Sequence, residues 1–154
     1  MITQNIDRLH ARAGSSDVIE VHGSIASSSC LDCGAKYPLE DVRARQAAAS
    51  RGVPRCDCDS PLKPDVVLFG EFLPTAALAR AERLAASADV LLCVGSSLEV
   101  YPVAGLPEVT LSAGGKVAIL TQGPTPFDAL AAVRMHGDVV EELEALLAAL
   151  ALAP

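Results

Sequence analysis

Aromatic residues and cations are scarce in this sequence. Phenylalanine and tyrosine together make up 3% of its 154 residues, and there is no tryptophan. The 12 Lys and Arg residues are outnumbered by 19 Asp and Glu residues, giving a formal net charge of -7. Nucleic-acid binders usually combine a basic surface with stacking rings, so a zinc-ribbon nucleic-acid binder is disfavoured. An acidic chain better suits a cationic partner, such as a lysine-bearing peptide.

The sequence also shows no secretory signal and no apolar run long enough to span a bilayer. We therefore expect no membrane partner and a location in the reducing cytoplasm. Hydrophobic residues still make up 51% of the chain, enough for a core filled by Ala, Val and Leu. The length fits one domain or part of one.

Four of the five cysteines form two close pairs, Cys30 with Cys33 and Cys56 with Cys58. As thiolates they match the four ligands of a structural zinc site, with Zn–S bonds of about 2.3 Å. The segment around them is polar, so we expect no core of its own and folding energy supplied by the metal. Two disulfides are the alternative, disfavoured by the reducing compartment and the short Cys-x-Cys spacing. Cys93 lies in an apolar run and is predicted to be an inert core thiol.

Strand and helix patterns alternate through the rest of the chain. Strands are predicted over residues 18–21, 65–71, 89–95 and 116–120, the third of them apolar enough to be buried on both faces. Helices are predicted over 78–88, before Gly114, and from Asp138 onward, with Glu141 completing a capping box. The apolar face of the last helix comprises Val139, Leu143, Leu146, Leu147 and Leu150. This alternation predicts right-handed βαβ units in an open parallel sheet.

Glycine and small polar residues follow four of the predicted strands. They are His22-Gly23, Gly70-Glu71, Gly95-Ser96-Ser97 and Thr121-Gln122-Gly123. Ligands of open parallel sheets bind beyond the carboxyl ends of the strands. The four strand ends therefore predict a nucleotide cleft.

Five linked motifs stand in the order and spacing of the sirtuins, the NAD-dependent protein-lysine deacylases. They are residues 3–7, His22-Gly23, the two cysteine pairs, residues 63–71 and residues 94–102. The chain resembles that family over nearly its whole length. The resemblance implies an α/β fold, with the C-terminal portion of a Rossmann-like parallel sheet and a small structural zinc-binding module. It assigns residues 1–29 and 61–154 to the NAD-binding portion and residues 30–60 to the inserted zinc module.

The resemblance also implies roles for individual residues. His22 would be the general base, because a neutral imidazole can take a proton from the nicotinamide ribose. The nicotinamide side of NAD would meet Gln4, Asn5, Ile6 and Asp7. The adenosine side would meet Gly95, Ser96, Ser97, Thr121, Gln122, Gly123 and Val139. Thr121 stands where the family usually has Asn, so a hydroxyl replaces an amide at that contact.

An acyl-lysine peptide would lie as an added strand between Gly70-Glu71 and Val100-Tyr101. Acyl-lysine proteins or peptides are therefore the expected partners, and the expected products are nicotinamide and O-acyl-ADP-ribose. One structural zinc ion, held by the four paired cysteines, is the expected metal.

The family's Gly-Ala-Gly turn, which holds the pyrophosphate, does not occur in these 154 residues. We therefore expect the first part of the family's fold to be missing and the strand at 90–94 to expose apolar side chains, with self-association along that edge. Two functions stay open: an acyl-lysine deacylase, acetyl being the expected acyl group, or a zinc-stabilised remnant or binding module without catalysis.

Overall fold

The structure, a computed structural model, describes residues 1–151. The chain divides into two compact units, residues 1–78 and 79–154. No helix in the described part of the chain is long and apolar enough to cross a membrane.

The first unit opens with a short parallel pair of strands. Strand β1 (Ile2–Thr3) pairs with β2 (Ile19–Glu20), and helix α1 (Leu9–Arg12) lies between them in the chain. The side chains of Ile19 and Val21 are buried. The predicted strand over 18–21 is present, but only two of its residues pair.

A three-stranded antiparallel sheet follows, in the order β4-β3-β5. Its strands are β3 (Gly23–Cys30), β4 (Lys36–Pro38) and β5 (Leu62–Val66), and helix α2 (Leu39–Ala48) follows β4. Gly23 has φ 72°, and a Cβ atom there would lie 2.1 Å from the carbonyl oxygen of Asp65. Only glycine allows β3 and β5 to approach this closely.

Cys30, Val42, Cys56 and Leu62 form a small buried cluster in this region. The expectation that the polar insert has no core was therefore wrong. Two of the four members are themselves cysteines, so this small core includes part of the predicted metal site.

The predicted strand over 65–71 was wrong at both ends. Strand β5 begins at Leu62 and ends at Val66, and it runs antiparallel to β3. Beyond it, the N–H of Val67 still donates to the carbonyl of His22, at 2.9 Å. The chain then turns, with the N–H of Glu71 bonded to the carbonyl of Leu68 at 3.0 Å and Gly70 at φ 88°.

The second unit contains a three-stranded parallel sheet in the order β6-β7-β8. Helix α3 (Thr75–Ala86) includes the boundary between the units at residues 78 and 79. The elements that follow it are β6 (Val90–Val94), α4 (Leu106–Ser112), β7 (Lys116–Leu120), β8 (Val133–Met135) and α5 (Val139–Ala151). Two 3-10 turns cover Val103–Gly105 and Asp128–Leu130. The strands predicted over 89–95 and 116–120, the helices and the parallel arrangement are confirmed here; β8 was missed.

The core of this unit is built around the side chains of β7. Val117 and Ile119 are fully buried and cluster with Leu98 and Phe127. Cys93 packs against the same cluster, and burial raises the pKa of its thiol to about 11. A thiol protonated at neutral pH is a poor nucleophile, which agrees with the prediction of an inert core cysteine.

Strand β6 forms one edge of the sheet. Its side chains Val90, Leu92 and Val94 are 59%, 37% and 40% exposed. Burial of this strand on both faces is therefore not observed among residues 1–151, and the exposure expected for residues 90–94 is confirmed.

Asp138 caps helix α5, as predicted. Its Oδ1 accepts from the N–H of Val140 at 2.9 Å and of Glu141 at 3.3 Å. The returning contact is made by Glu142, whose Oε1 accepts from the N–H of Gly137 at 3.1 Å, rather than by Glu141. On the predicted apolar face Val139, Leu143 and Leu146 are half-buried, whereas Leu147 and Leu150 are exposed.

Candidate functional site

The sulfur atoms of the four paired cysteines converge. All four Sγ atoms lie within 4.8 Å of one another. The Sγ–Sγ distances are 3.5 Å for Cys30–Cys58, 3.5 Å for Cys33–Cys56 and 3.7 Å for Cys33–Cys58. A tetrahedral zinc with bonds of about 2.3 Å places its sulfurs about 3.8 Å apart. The four thiols are free, so the alternative of two disulfides is not observed, and the donor set fits one structural zinc ion.

Two tight turns present these sulfurs. In the first, the N–H of Gly34 donates to the carbonyl of Cys30 at 3.2 Å; in the second, the N–H of Asp59 donates to the carbonyl of Cys56 at 2.9 Å. The N–H of Cys33 also points at the Sγ of Cys30, at 3.5 Å, and is the largest of several hydrogen bonds that together lower the pKa of that thiol to about 6. A backbone donor aimed at sulfur favours the thiolate, which is the form that binds metal.

His22 follows strand β2 and is half-buried. Its Nδ1 lies 3.2 Å from the carbonyl oxygen of Gln4. A carbonyl oxygen can only accept, so this contact assigns the ring proton to Nδ1 and leaves the lone pair on Nε2. That tautomer is the one a general base needs. The contact also joins the expected general base to one of the residues that the resemblance assigns to the nicotinamide side of NAD.

The rest of the predicted nicotinamide-side loop, Asn5 to Asp7, is held by local hydrogen bonds. The N–H of Asn5 donates to the hydroxyl of Thr3 at 3.1 Å, and the N–H of Ile25 to the carbonyl of Ile6 at 3.1 Å. Asp7 Oδ1 accepts from the N–H of Leu9 at 2.9 Å at the start of α1. The side chains of Asn5 and Asp7 are exposed. The loop is thus fixed by its backbone while its polar side chains remain accessible.

In the second unit, the three parallel strands end in register. Val94 is the pairing partner of Leu120, and Leu120 of Met135. The pairing continues one residue further, from the N–H of Gly95 to Leu120 at 2.8 Å and from the N–H of Thr121 to Met135 at 3.2 Å. The loops that begin at Gly95 and Thr121 therefore leave the same edge of the sheet side by side, as predicted for a ligand cleft.

The first of these loops has room for a ligand at its backbone. Gly95 has φ 63°, and a Cβ atom there would meet no other atom within 4 Å. Ser96 Oγ accepts from the N–H of Leu98 at 3.2 Å, which holds the turn, while Ser97 is exposed. An open glycine beside serine and threonine hydroxyls fits a ribose or phosphate of NAD. Gln122 and Gly123 are exposed in the neighbouring loop, and Val139 is half-buried at the start of α5.

Sequence reasoning missed Arg134, which holds the Thr121–Gly123 loop. Its guanidinium donates to the carbonyl oxygens of Thr121 at 2.7 Å, Gly123 at 2.5 Å and Met135 at 2.6 Å. The fourth partner is Asp128 Oδ1, at 2.8 Å from Nε. The only sequence signal was a single cation in the short apolar strand 133–135.

The two predicted peptide-binding edges lie one in each unit. In the first, Glu71 Oε2 accepts from the N–H of Leu68 and from Lys63 Nζ, both at 2.9 Å. These donors, the N–H first, lower the pKa of Glu71. The Glu71 carboxylate thus stabilises the loop that contains it. A peptide at this edge would therefore be bound by the exposed backbone around Gly70. In the second unit, Val100 and Tyr101 are 52% and 67% exposed.

Comparison with known proteins agrees with these features. A model of the Sir2 family matches residues 1–102. The NAD-dependent protein deacetylase of Thermotoga maritima is 49% identical over 142 residues, which cover 92% of this chain and 57% of that protein. The NAD-dependent protein deacylase of Thermus thermophilus is 40% identical over 148 residues, covering 96% of this chain and 56% of that protein. The chain thus spans little more than half the length of these relatives.

Solved structures give the same result. Sir2Tm bound to a propionylated peptide has a TM-score of 0.92 at 44% identity, covering 99% of this chain and 64% of that chain. A complex of Sir2 with a p53 peptide and NAD+ has a TM-score of 0.91 at 44% identity, covering 99% of this chain and 63% of that chain. With the family model matching more than half of its residues, the chain belongs to the Sir2 family.

Proposed function

We propose that this chain carries the zinc module and the general base of an NAD-dependent protein-lysine deacylase. The reaction removes an acyl group from a protein lysine and gives nicotinamide and O-acyl-ADP-ribose. The proposal is supported by relatives named NAD-dependent protein deacetylase and deacylase, and by similar structures that hold acetylated or propionylated peptides. The observation that carries it is the contact of His22 Nδ1 with the Gln4 carbonyl, at 3.2 Å.

His22 acts as the base through Nε2. Bound NAD would supply an electrophilic ribose carbon with nicotinamide as its leaving group. Once the acyl oxygen of the substrate has displaced nicotinamide from that carbon, the Nε2 lone pair would take a proton from a ribose hydroxyl, and the Gln4 carbonyl would stabilise the imidazolium that forms, because it accepts from Nδ1. Gln4, Asn5, Ile6 and Asp7 form the nicotinamide side of the site in this proposal.

The adenosine side is proposed to lie at the carboxyl ends of β6 and β7. Gly95, Ser96 and Ser97 approach ribose or phosphate from one loop, and Thr121, Gln122 and Gly123 from the next, with Val139 beside the adenine. The in-register strand ends and the open space at Gly95 support this assignment.

Two backbone segments are proposed to bind the acyl-lysine peptide, Gly70-Glu71 of the first unit and Val100-Tyr101 of the second. An added strand is held mainly by main-chain hydrogen bonds, which suits exposed loop backbone. Zinc held by Cys30, Cys33, Cys56 and Cys58 has a structural role here, because four protein ligands leave no position for a substrate. The cytoplasm stays the proposed location.

The deciding experiment uses a form of the protein that turns over NAD, measures NAD-dependent deacylation of an acetyl-lysine peptide, and compares His22→Ala with the unaltered protein. Loss of a general base lowers turnover by about 10²–10⁴-fold. His10→Ala is the matched control, since His10 lies on α1 outside the proposed site. Near-normal turnover in His22→Ala would remove His22 from the catalytic role. A protein that binds zinc but consumes no NAD in any form would instead favour the second candidate, a zinc-stabilised binding module.

We also propose that residues 1–154 self-associate along β6. This strand is an edge of its sheet and exposes Val90, Leu92 and Val94. Edge strands with apolar side chains pair readily with another chain. Light scattering should show oligomers of the unaltered chain and a smaller oligomer fraction for Leu92→Lys. An unaltered chain that stays monomeric at high concentration would exclude self-association along β6.

A further inference from the structure

Tyr37, on the short strand β4, makes three contacts with the second cysteine turn. Its hydroxyl lies 3.3 Å from the Sγ of Cys56 and 3.2 Å from Asp57 Oδ2, and it accepts from the N–H of Asp57 at 3.3 Å. Asp57 is the residue between the ligands Cys56 and Cys58. One side chain therefore touches a ligand sulfur and the backbone of the turn that carries two ligands.

Arg45 reaches the same place from α2. Its guanidinium carbon lies 4.4 Å from the centre of the Tyr37 ring, its Nη2 lies 2.7 Å from Asp57 Oδ1, and its Nη1 donates to the carbonyl of Arg55 at 2.9 Å. The planar guanidinium stacks on the ring while its two ends hold the turn on either side of Cys56.

The two side chains act together on one proton. The Tyr37 hydroxyl has one hydrogen and two acceptors within reach, the Asp57 carboxylate and the Cys56 sulfur. Arg45 donates to Oδ1 of the same carboxylate and offsets its charge, so the carboxylate competes less strongly with the sulfur for the hydroxyl hydrogen. Four thiolates around one zinc ion carry excess negative charge, and Arg45 places a cation beside them.

We propose that Tyr37 and Arg45 form a bracket that retains the zinc ion, by donating a hydrogen bond to Cys56 and by fixing the Asp57 turn. Groups that orient metal ligands in this way typically change metal affinity by about 10- to 100-fold when they are removed. The proposal rests on the fit of the four cysteines to zinc and is independent of the deacylase assignment.

The test uses the whole chain, loaded with zinc, and a chromogenic chelator in excess. Tyr37→Phe removes the hydroxyl oxygen that contacts Cys56 and Asp57. Arg45→Met removes the positive charge and the two-pronged guanidinium that bonds Asp57 and Arg55. Each is expected to release zinc about 10- to 100-fold faster than the unaltered chain. Arg45→Lys, which keeps the charge but not the fork, should fall between. Arg43→Met is the matched control, because it removes the same charge from an exposed position of the same helix and should release zinc at the unaltered rate.

A cobalt-substituted chain separates a contact to sulfur from a general loss of packing. Loss of the hydrogen bond in Tyr37→Phe should shift the thiolate-to-cobalt charge-transfer band, which a purely structural change elsewhere would leave in place. Circular dichroism reports folding, and if Arg45→Met fails to fold, Tyr37→Phe decides. A folded Tyr37→Phe variant with unaltered zinc release and an unaltered cobalt spectrum would overturn the proposal. None of these measurements depends on deacylase turnover. A failure of the proposed enzymatic function can therefore be distinguished from a failure of this proposal about zinc retention.

Discussion

His22 and Gln4 are eighteen residues apart in sequence, and the Nδ1 of the first lies 3.2 Å from the carbonyl oxygen of the second. The contact is made possible by the parallel pairing of β1 with β2, which brings Thr3 opposite Glu20 and so places the residues just beyond both strands side by side. It sets the tautomer of the imidazole before any ligand arrives. A change in the position of the Gln4 carbonyl should therefore alter the tautomer or orientation of the His22 ring, and with it the rate of catalysis.

The first prediction concerns this pairing in a form of the protein that turns over NAD. Thr3→Val removes the hydroxyl that accepts from the N–H of Asn5, so the loop next to Gln4 loses one of its anchors. We expect turnover to fall by about 5-fold while zinc content stays unchanged, because one lost hydrogen bond contributes about 1 kcal/mol. Steady-state kinetics with an acetyl-lysine peptide measures the first quantity and elemental analysis the second. Turnover equal to that of the unaltered protein would show that the anchor is dispensable.

The second prediction concerns the metal. Cys33→Ser removes one of the four converging sulfurs, and zinc content should drop from one ion per chain to nearly none. The region from Cys30 to Leu62 should then lose structure, because its small core includes Cys30 and Cys56. Cys93→Ser is the control, since this thiol lies in the second unit and should leave zinc content unaltered. Elemental analysis decides, and an unchanged zinc content in Cys33→Ser would contradict the assignment.

The third prediction is a pH dependence at Asp65. This carboxylate accepts from the hydroxyls of Ser27 at 2.5 Å and Ser29 at 2.6 Å, and Lys36 lies 3.2 Å away. Burial alone would raise its pKa, but the two hydroxyls and the Lys36 ammonium outweigh burial and hold the pKa below its ordinary value. The pKa in the folded state is thus lower than in the unfolded state. The stabilisation is present above about pH 4, the unfolded pKa, and is lost as the pH falls through the folded pKa.

Asp65→Asn should accordingly lower the free energy of unfolding at pH 7 by about 1–3 kcal/mol, because hydrogen bonds to a charged group are lost. The difference from the unaltered chain should shrink toward pH 3. Asp41→Asn, at an exposed position of α2, is the control. Urea unfolding at a series of pH values measures the effect. A difference that stays constant from pH 7 to pH 3 would show that the ionised Asp65 carboxylate is not its cause.

The fourth prediction concerns Arg134. Replacement by Met leaves the carbonyl oxygens of Thr121, Gly123 and Met135 without this donor. We expect a loss of about 1–2 kcal/mol in the free energy of unfolding and weaker binding of ADP-ribose, since the Thr121–Gly123 loop loses its anchor. Arg83→Met, on the exposed face of α3, serves for comparison. Urea unfolding and calorimetric titration are the measurements, and full ADP-ribose affinity in Arg134→Met would separate this loop from the cofactor site.

The fifth prediction concerns residues 1–154 by themselves. The family's Gly-Ala-Gly turn is not among them, so the pyrophosphate of NAD lacks the partner that the resemblance assigns to it. Catalysis requires the reacting atoms to be held about 3–3.5 Å apart, which a cleft with one set of contacts missing cannot enforce. Calorimetry should therefore show NAD binding weaker than micromolar, with no steady deacetylation. Micromolar binding with turnover would show that the strand-end loops suffice.

The sequence by itself determined the elements that carry a strong local pattern. The apolar runs at 90–94 and 116–120 predicted strands of a parallel sheet, Asp138 marked the start of the last helix, and the cysteine spacing identified the metal ligands. These features depend on residues close together in the chain, where side-chain period, capping and ligand spacing act directly.

Only the tertiary structure determined the pairing of the antiparallel sheet and the partners of the long polar side chains. Strand β3 has the sequence Gly-Ser-Ile-Ala-Ser-Ser-Ser-Cys, which has no apolar alternation, and it becomes a strand because β4 and β5 pair with it and Asp65 accepts from two of its serines. The contacts of Tyr37 and Arg45 with the turn at Cys56, and those of Arg134 with the Thr121–Gly123 loop, likewise join side chains to different segments of the chain. Long polar side chains can reach many partners, and which one they find depends on where the backbone has already placed the acceptors; no local pattern encodes that choice.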